Sequence, residues 1–175
     1  YTVRVRFTDA VGNISVGPIS DSIVLDKTNP TDPTDVASTS HEVNTPSNET
    51  TIDIAWTAAG AALGATDGGS GVDGYSYDFT EGTTDVPDAI KDAEETSTGT
   101  ISTSLDDGSW YFHLRTQDNA GNWTSTVHKG PFVIDATTPD TLSLNPTIDP
   151  MSSNYVRKTV TVAATATDDS GVDSV

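Results

Sequence analysis

Apolar and polar residues alternate along two segments that lie far apart in the chain. Residues 1–6 read YTVRVR, and residues 110–115 read WYFHLR. When Tyr1 is aligned with Trp110, apolar positions match apolar positions and polar positions match polar ones. A period of two predicts a strand with one face in the core and the other in water. The polar face of the second strand includes His113, which we therefore expect in solvent.

The same alternation predicts the other strands of one domain. Residues 51–57 and 72–79 alternate clearly, residues 98–105 alternate more weakly, and residues 36–39 fit an edge strand. The side chains expected to face inward are Ile52, Ile54, Trp56, Tyr75, Tyr77, Phe79 and Ile101. Residues 87–95 fit one helical turn or a loop. About seven short strands separated by turns are typical of an immunoglobulin-like sandwich.

The chain also repeats itself. The first alignment continues without a gap to DKTNP at 26–30 and DATTP at 135–139, and ATDGGSGVD at 65–73 recurs as ATDDSGVD at 166–173. A period near one hundred residues is the size of one small sandwich domain. We therefore predict an all-β chain of tandem immunoglobulin-like β-sandwich repeats, cut from a longer protein. Its parts are the C-terminal strands of one repeat at 1–28, a complete repeat at 29–138 and the N-terminal strands of a third at 139–175.

Acidic residues dominate the charge of the chain. There are 26 acidic and 8 basic residues, which gives a formal net charge of −18. Aspartate supplies 21 of the acidic residues and glutamate 5. The shorter carboxylate suits turns and hard-cation sites, although a merely acidic or halophilic surface is the alternative. This charge disfavours nucleic acid and anionic membranes as partners, because binding phosphate requires lysine and arginine.

Several classes of chemistry lack the residues that they need. Cysteine is absent, which excludes disulfides, thiolate metal sites and cysteine nucleophiles. No apolar run approaches the ~18 residues of a membrane span, so we expect no membrane insertion within this segment. The three histidines lie on separate segments, and no Ser-His-Asp order or glycine-rich phosphate loop is present. We therefore predict that the chain is not an enzyme.

Acidic residues gather where one predicted repeat meets the next. In an immunoglobulin-like sandwich the B–C and F–G loops share the end at which the chain enters from the preceding domain. Ca²⁺ takes six to eight oxygen ligands from such flexible, carboxylate-rich loops. The candidate metal ligands are Asp26, Asp32, Asp67, Asp73, Asp118 and Asn122 at one junction, and Asp135, Asp168 and Asp173 at the next. The alternative is that these residues only form turns through their own backbone bonds.

Two other kinds of site have weaker support. Trp123 would have to be exposed to bind carbohydrate, and no second aromatic residue lies near it on the same face. Asn13, Asn48 and Asn122 begin N-glycosylation motifs. Two of these three asparagines belong to predicted turns, and turn formation explains them without a glycan.

One string of residues resembles a known family. The pattern is a DG turn, an alternating aromatic strand, D-x-A-G-N, then I-D-x-T-x-P, with a D-x-x-SGV-x-x-Y loop. It is carried by Gly108, Trp110, Phe112, Leu114, Asp118, Ala120, Gly121, Asn122, Ile134, Asp135, Thr137 and Pro139, with Asp67, Ser70, Gly71, Val72 and Tyr75. It is similar to the immunoglobulin-like and fibronectin-III-like repeats of large bacterial cell-surface, adhesin-type proteins. The resemblance implies stalks, spacers or surface-layer subunits, with Ca²⁺ at the junctions of many members.

These observations lead to an expected function. We predict a structural segment of an extracellular or cell-surface repeat protein, an adhesin stalk or surface rod, stiffened by Ca²⁺ at its junctions. The expected partners are neighbouring repeats of the same protein or identical subunits. One alternative is a subunit of a filament or surface layer assembled by strand complementation, because incomplete repeats expose strand edges. Another is an accessory module of a secreted hydrolase.

Overall fold

The chain is all-β over the residues that the structure describes. The computed structural model describes residues 1–140, 145–146, 162–163 and 165–172, and it contains no helix in them. The strands, in chain order, are β1 (Thr2–Val5), β2 (Ile19–Ser22), β3 (Ala37–Ser38), β4 (Pro46–Ser47), β5 (Asp53–Ala55), β6 (Val72–Thr80), β7 (Ala93–Glu94), β8 (Gly99–Ile101), β9 (Gly108–Asp118), β10 (Val127–Ile134), β11 (Asn145–Pro146) and β12 (Val162–Ala163). No helix in this part of the chain is long and apolar enough to span a membrane.

Two sheets enclose the main core, an arrangement consistent with a β-sandwich. One sheet has five strands in the order β4-β10-β9-β6-β7, and the other has three in the order β3-β5-β8. All neighbours are antiparallel except β4 and β10, which run parallel. Both sheets contribute to one cluster of buried side chains. Long β6 and β9 lie side by side at the centre of the larger sheet and carry its core-facing residues.

The core is built from the residues that alternation assigned to it. Ile52, Ile54 and Trp56 are buried, as predicted. Trp56 meets Tyr75 edge to face with ring centroids 5.4 Å apart, and it stacks on Phe112 at 6.2 Å. Such aromatic pairs contribute about 0.5–1.5 kcal/mol beyond the burial of their area. The residues around β5 therefore join the two sheets through one aromatic contact zone.

Ile101 does not face inward, contrary to the expectation. Its side chain is 65% exposed. The register pairs Ile101 with Asp53, and directly paired residues point to the same face of a sheet. Asp53 lies between the buried Ile52 and Ile54, so its face is the outer one. Ser102 takes the inward position instead, and its Oγ accepts a hydrogen bond of 2.9 Å from the Ile52 N–H.

His113 is buried, although alternation places it on the solvent face. Its side chain is fully inaccessible. The turn that follows β6 crosses this face, and the Thr80 hydroxyl lies 3.0 Å from Nε2 of His113. A little farther on, the carbonyl of Pro87 accepts a hydrogen bond from Arg115. The chain then forms β7 on the edge of the sheet, in the region where a helical turn or loop was expected.

The N-terminal hairpin reproduces the local bonding of β9 and β10. An isolated bridge joins Thr8 to Ile14, and the aligned residues Gln117 and Trp123 form the same bridge. However, every residue of β1 and β2 is exposed. The assignment of residues 1–28 and 139–175 to neighbouring repeats therefore stays a prediction.

Candidate metal centre

The first component is the turn between β9 and β10. Gly121 adopts a positive φ of 89°, which glycine tolerates without a steric penalty. Asp118 fixes this turn, because its Oδ1 accepts hydrogen bonds from the backbone N–H groups of Ala120 (2.9 Å) and Asn122 (2.8 Å). Its Oδ2 accepts a third from the Asn122 side-chain amide at 2.7 Å. Asp118 is 1% exposed, so its carboxylate is held rigidly at the end of the sandwich.

The second component is the loop that precedes β6. Oδ2 of Asp67 accepts hydrogen bonds from the backbone N–H groups of Gly69 (3.0 Å) and Gly71 (2.7 Å). Gly71 has a positive φ of 83°, which closes the loop. Oδ1 of Asp67 is buried and has no hydrogen-bond partner. A buried oxygen without a hydrogen-bond partner is costly, and a bound cation or a water molecule would satisfy it.

The third component is the linker carboxylate of Asp26. Its Oδ1 accepts a hydrogen bond from the Thr28 N–H at 3.0 Å, and its Oδ2 accepts one from the Ser70 N–H at 2.7 Å. These amide donors hold the pKa of Asp26 below its usual value. A β-carbon at Gly69 would overlap the Asp26 carboxylate, so only glycine permits this approach. The linker is thereby tied to the loop before β6.

These three carboxylates converge. Asp26, Asp67 and Asp118 each offer an oxygen, and the three oxygens lie within 4.8 Å of one another. Both ion pairs found in the described parts of the chain involve Lys91, so no basic side chain neutralises the group. Like charges at this separation repel. Three carboxylates, one of which also has a buried oxygen without a hydrogen-bond partner, provide donors for a hard metal cation.

Asn122 adjoins this group without being shown as a ligand. Its side-chain nitrogen donates to Asp118, and it also donates to the Thr28 carbonyl at 3.3 Å. The amide therefore holds the linker against the turn between β9 and β10. Its nitrogen points toward the carboxylate group, which makes Asn122 a positioning residue in this arrangement.

Two other predicted ligands lie outside the three-carboxylate group. Oδ1 of Asp32 accepts hydrogen bonds from the hydroxyls of Thr116 (2.7 Å) and Thr124 (2.8 Å). Burial raises the pKa of Asp32, because desolvation outweighs the hydroxyl bonds that lower it. Asp73 instead forms an ion pair of 3.1 Å with Lys91. The alternation pattern does not reveal the threonine partners of Asp32 or the lysine partner of Asp73, since these residues are distant in sequence.

The second predicted junction is described in part. A cleft of about 200 Å³ is lined by Asp135, Thr137, Thr138, Asp140, Thr167, Asp168 and Asp169. The Asp140 N–H donates to the Thr167 carbonyl at 3.0 Å, as the Thr31 N–H donates to the Thr66 carbonyl at 2.8 Å in the first junction. Oδ2 of Asp135 is buried without a hydrogen-bond partner. Asp173 lies outside the described residues.

Sequence reasoning missed some of the residues that order the linkers. Asp107 accepts hydrogen bonds from the Ala136 N–H at 2.8 Å and from the Thr137 hydroxyl. These bonds lower its pKa, with the Thr137 hydroxyl as the largest cause. Ser70 and Gly69 were seen only as loop residues, although both contact Asp26. The repeat of ATDGGSGV at 65–72 as the one-residue-shorter ATDDSGV at 166–172 was the one signal that pointed to this loop.

Comparison with protein-family models, with curated proteins and with solved structures finds no match to this chain. The chemistry of the centre therefore follows from its own residues. Those residues are oxygen donors that carry negative charge, come from three separate segments and meet where a linker enters the sandwich.

Proposed function

We propose that the chain is a structural segment of an extracellular repeat protein, such as an adhesin stalk or surface rod, with Ca²⁺ stiffening its junctions. In this role the protein is not an enzyme. Its partners are neighbouring repeats or identical subunits, and its chemistry is the binding of a cation between consecutive units. The resemblance to bacterial surface repeats and the internal repetition of the sequence support this proposal.

One observation carries the proposal. A linker carboxylate, Asp26, meets two loop carboxylates, Asp67 and Asp118, with their oxygens within 4.8 Å of one another. Without a cation the three carboxylates repel one another, so the electrostatic energy falls when the linker moves away from the loops. With a cation the interaction is attractive, and the linker is held against both loops. A cation bound by both the linker and the loops therefore stiffens the junction between them.

The donor set favours Ca²⁺ over Mg²⁺. Ca²⁺ accepts six to eight oxygens at 2.3–2.6 Å in irregular arrangements, whereas Mg²⁺ demands an octahedron and gives up water reluctantly. The three carboxylates come from a linker and two loops, which do not impose an octahedral frame. Gly69 leaves room for the Asp26 carboxylate, and Gly71 and Gly121 adopt the positive φ that the two loops require. Carboxylates that converge from separate loops are typical of calcium sites.

Repeated bonding supports a modular array. Oδ1 of Asp9 accepts from the N–H groups of Val11 (3.0 Å) and Asn13 (2.8 Å), as Asp118 does from Ala120 and Asn122. The Asn13 side-chain amide donates to Asp9 at 2.7 Å, again as in the second copy. A cluster of one linker and two loops would then recur along the rod at each junction.

A filament assembled by strand complementation is the second candidate. The observation in its favour is the hairpin β1–β2, whose apolar side chains Val3, Val5 and Phe7 are all exposed. Strand addition from an identical subunit would cover them. This candidate predicts concentration-dependent polymers of the chain, whereas the stalk predicts monomers at concentrations where Ca²⁺ already binds. Sedimentation across a hundredfold range of protein concentration separates the two.

A calcium titration by calorimetry tests the proposed function. Asp67→Asn is the most informative variant. Asparagine keeps an oxygen that accepts the hydrogen bonds from the Gly69 and Gly71 N–H groups, but it replaces the unbonded oxygen with an NH₂ group, which does not bind a cation. Asp73→Asn is the matched control, since that carboxylate lies in the next segment and pairs with Lys91. We expect Asp67→Asn to lose one equivalent of Ca²⁺ and Asp73→Asn to behave as the wild type. Equal binding by all three chains would reject the site.

A further inference from the structure

Two histidines face each other on the outer side of the larger sheet. His113 on β9 and His128 on β10 are directly paired across the two strands. Their Nδ1 atoms lie 2.7 Å apart, and their rings are inclined at 74° with centroids 4.9 Å apart. His113 is fully buried and His128 is exposed. The two nitrogens therefore meet at the boundary between the protein and the solvent.

The hydrogen bonds around His113 determine which of its nitrogens carries the proton. The Thr80 hydroxyl lies 2.7 Å from Oδ2 of Asp85 and 3.3 Å from the Gly82 carbonyl, and both of these groups only accept. Thr80 Oγ1 must therefore accept from His113, whose Nε2 lies 3.0 Å away. Neutral His113 thus keeps its proton on Nε2 and presents a lone pair on Nδ1, with His128 as the donor in the short contact.

This arrangement matches that of a metal-ligating histidine. Such a histidine usually donates its second ring N–H to an oxygen acceptor, which fixes the tautomer and the ring orientation. Thr80 provides this acceptor, and Asp85 in turn accepts from Thr80. Asp78 is paired with His113 on the neighbouring strand β6, so a second carboxylate lies on the same side. Negative charge nearby favours a cation between the rings.

We propose that His113 and His128 form a site for a divalent transition cation of the Zn²⁺, Ni²⁺ or Cu²⁺ class, bound through their facing Nδ1 atoms. The cation takes the place of the proton on Nδ1 of His128, and the neutral ring then carries its proton on Nε2, exchanged through the solvent. The remaining coordination positions are taken by water. Imidazole nitrogen suits these metals, whereas Ca²⁺ and Mg²⁺ prefer oxygen, so this site is chemically distinct from the carboxylate centre.

The geometry requires a small opening of the pair. Metal–nitrogen bonds of about 2.0–2.1 Å at tetrahedral angles place the two nitrogens about 3.3 Å apart, which exceeds the present contact. Exposed His128 has the freedom to move outward by this amount, while buried His113 stays fixed. Desolvation is the main cause that lowers the pKa of His113, and the neighbouring His128 adds to it. Both effects favour the neutral ring of His113, whose Nδ1 lone pair faces His128.

The pair is absent from the N-terminal copy. The residues that align with His113 and His128 in the N-terminal copy are Arg4 and Ile19. Neither of those side chains provides an imidazole nitrogen. The proposed site is therefore a property of residues 29–138 and does not follow from the repeat pattern.

The test is a Zn²⁺ titration of the full chain, followed by imidazole NMR signals, with saturating Ca²⁺ present to occupy the oxygen sites. His128→Gln removes one ligand at an exposed position, where the fold tolerates the change. Lys129→Gln is the matched control, because it introduces the same residue one position along β10. We expect Zn²⁺ to shift the signals of both histidines and His128→Gln to weaken binding at least tenfold. Lys129→Gln should bind as tightly as the wild type.

Three results would overturn the proposal. The first is equal Zn²⁺ affinity in the wild type and His128→Gln. The second is the absence of any shift of the His113 and His128 signals at millimolar Zn²⁺. The third is binding that survives in His128→Gln but disappears in Asp67→Asn, which would assign the metal to the carboxylate centre. A decrease of affinity on acidification, as protons compete with the metal for the ring nitrogens, is the further result that the proposal requires.

Discussion

At the scale of single residues, aspartate has one recurring local role. Asp9, Asp67, Asp118 and Asp168 each accept a hydrogen bond from the backbone N–H two positions later. This Asx-turn bond occupies one carboxylate oxygen. At Asp67 the second oxygen stays buried and unbonded. The Asx-turn bond therefore leaves one oxygen of Asp67 without a hydrogen bond, and turn formation does not exclude cation binding by the same side chain.

Two isoleucines on neighbouring segments of the three-stranded sheet test the assignment of the core. Ile52 is fully buried, whereas Ile101 is 65% exposed. We expect Ile52→Ala to lower the free energy of unfolding by about 2–5 kcal/mol, because it leaves a cavity. Ile101→Ala should change it by no more than about 0.5 kcal/mol. Urea denaturation of both variants gives the comparison, and equal losses would mean that the register of β8 is wrong.

Asp32 tests the cost of a half-buried carboxylate. Its raised pKa means that the folded state binds this proton more tightly than the unfolded state does. The resulting stabilisation is present below the unfolded pKa and is lost as pH rises through the folded pKa. Asp32→Asn keeps an oxygen for Thr116 and Thr124 without the charge. We therefore expect it to gain stability relative to the wild type as pH rises from 3 to 7.

The comparison variant for this position is Asp32→Ala. It leaves the buried hydroxyls of Thr116 and Thr124 without their acceptor, so we expect a loss on the order of 1–3 kcal/mol at pH 7. Urea midpoints at several pH values measure both variants. A stability difference between Asp32→Asn and the wild type that does not depend on pH would contradict the raised pKa.

At the scale of elements, local alternation predicted the strands but not what covers them. Residues 51–57 and 72–79 were assigned to the correct faces because period two depends only on neighbouring residues. His113 was misassigned because a turn from another part of the chain covers its face. Ile101 was misassigned because its face depends on the register with β5. Of the predicted ligands, Asp26, Asp67 and Asp118 lie together in the structure, whereas Asp73 pairs with Lys91, a partner that spacing does not predict.

Substitution of two adjacent glycines distinguishes a specific contact with Asp26 from general flexibility of the loop. A β-carbon at Gly69 would overlap the Asp26 carboxylate, whereas one at Gly68 meets nothing within 4 Å. Neither residue has a positive φ, so alanine causes no backbone strain at either position. We expect Gly69→Ala to displace Asp26 and to speed hydrogen exchange of the Ser70 amide at least tenfold. Gly68→Ala should leave that rate unchanged, and a similar rate in both variants would contradict the docking of the linker.

At the scale of the whole molecule, the net charge of −18 makes the junctions sensitive to cations. Repulsion spread over the surface is weakened by salt at a Debye length of about 8–10 Å. Repulsion among three carboxylates whose oxygens lie within 4.8 Å of one another requires a bound ion to neutralise it. Monovalent salt and Ca²⁺ should therefore act differently on the linker. Only Ca²⁺ should restrain it at micromolar to millimolar concentration.

The most direct test is ¹⁵N relaxation of the linker amides, residues 26–28, in Ca²⁺ and in EGTA at constant ionic strength. We expect the order parameters of these amides to rise in Ca²⁺ to the values of β9 and to fall again in EGTA. Asp73→Asn should respond in the same way, whereas Asp67→Asn should stay mobile in both buffers. Linker order parameters that are identical in Ca²⁺ and EGTA for the wild-type chain would contradict the claim that a cation stiffens the junction.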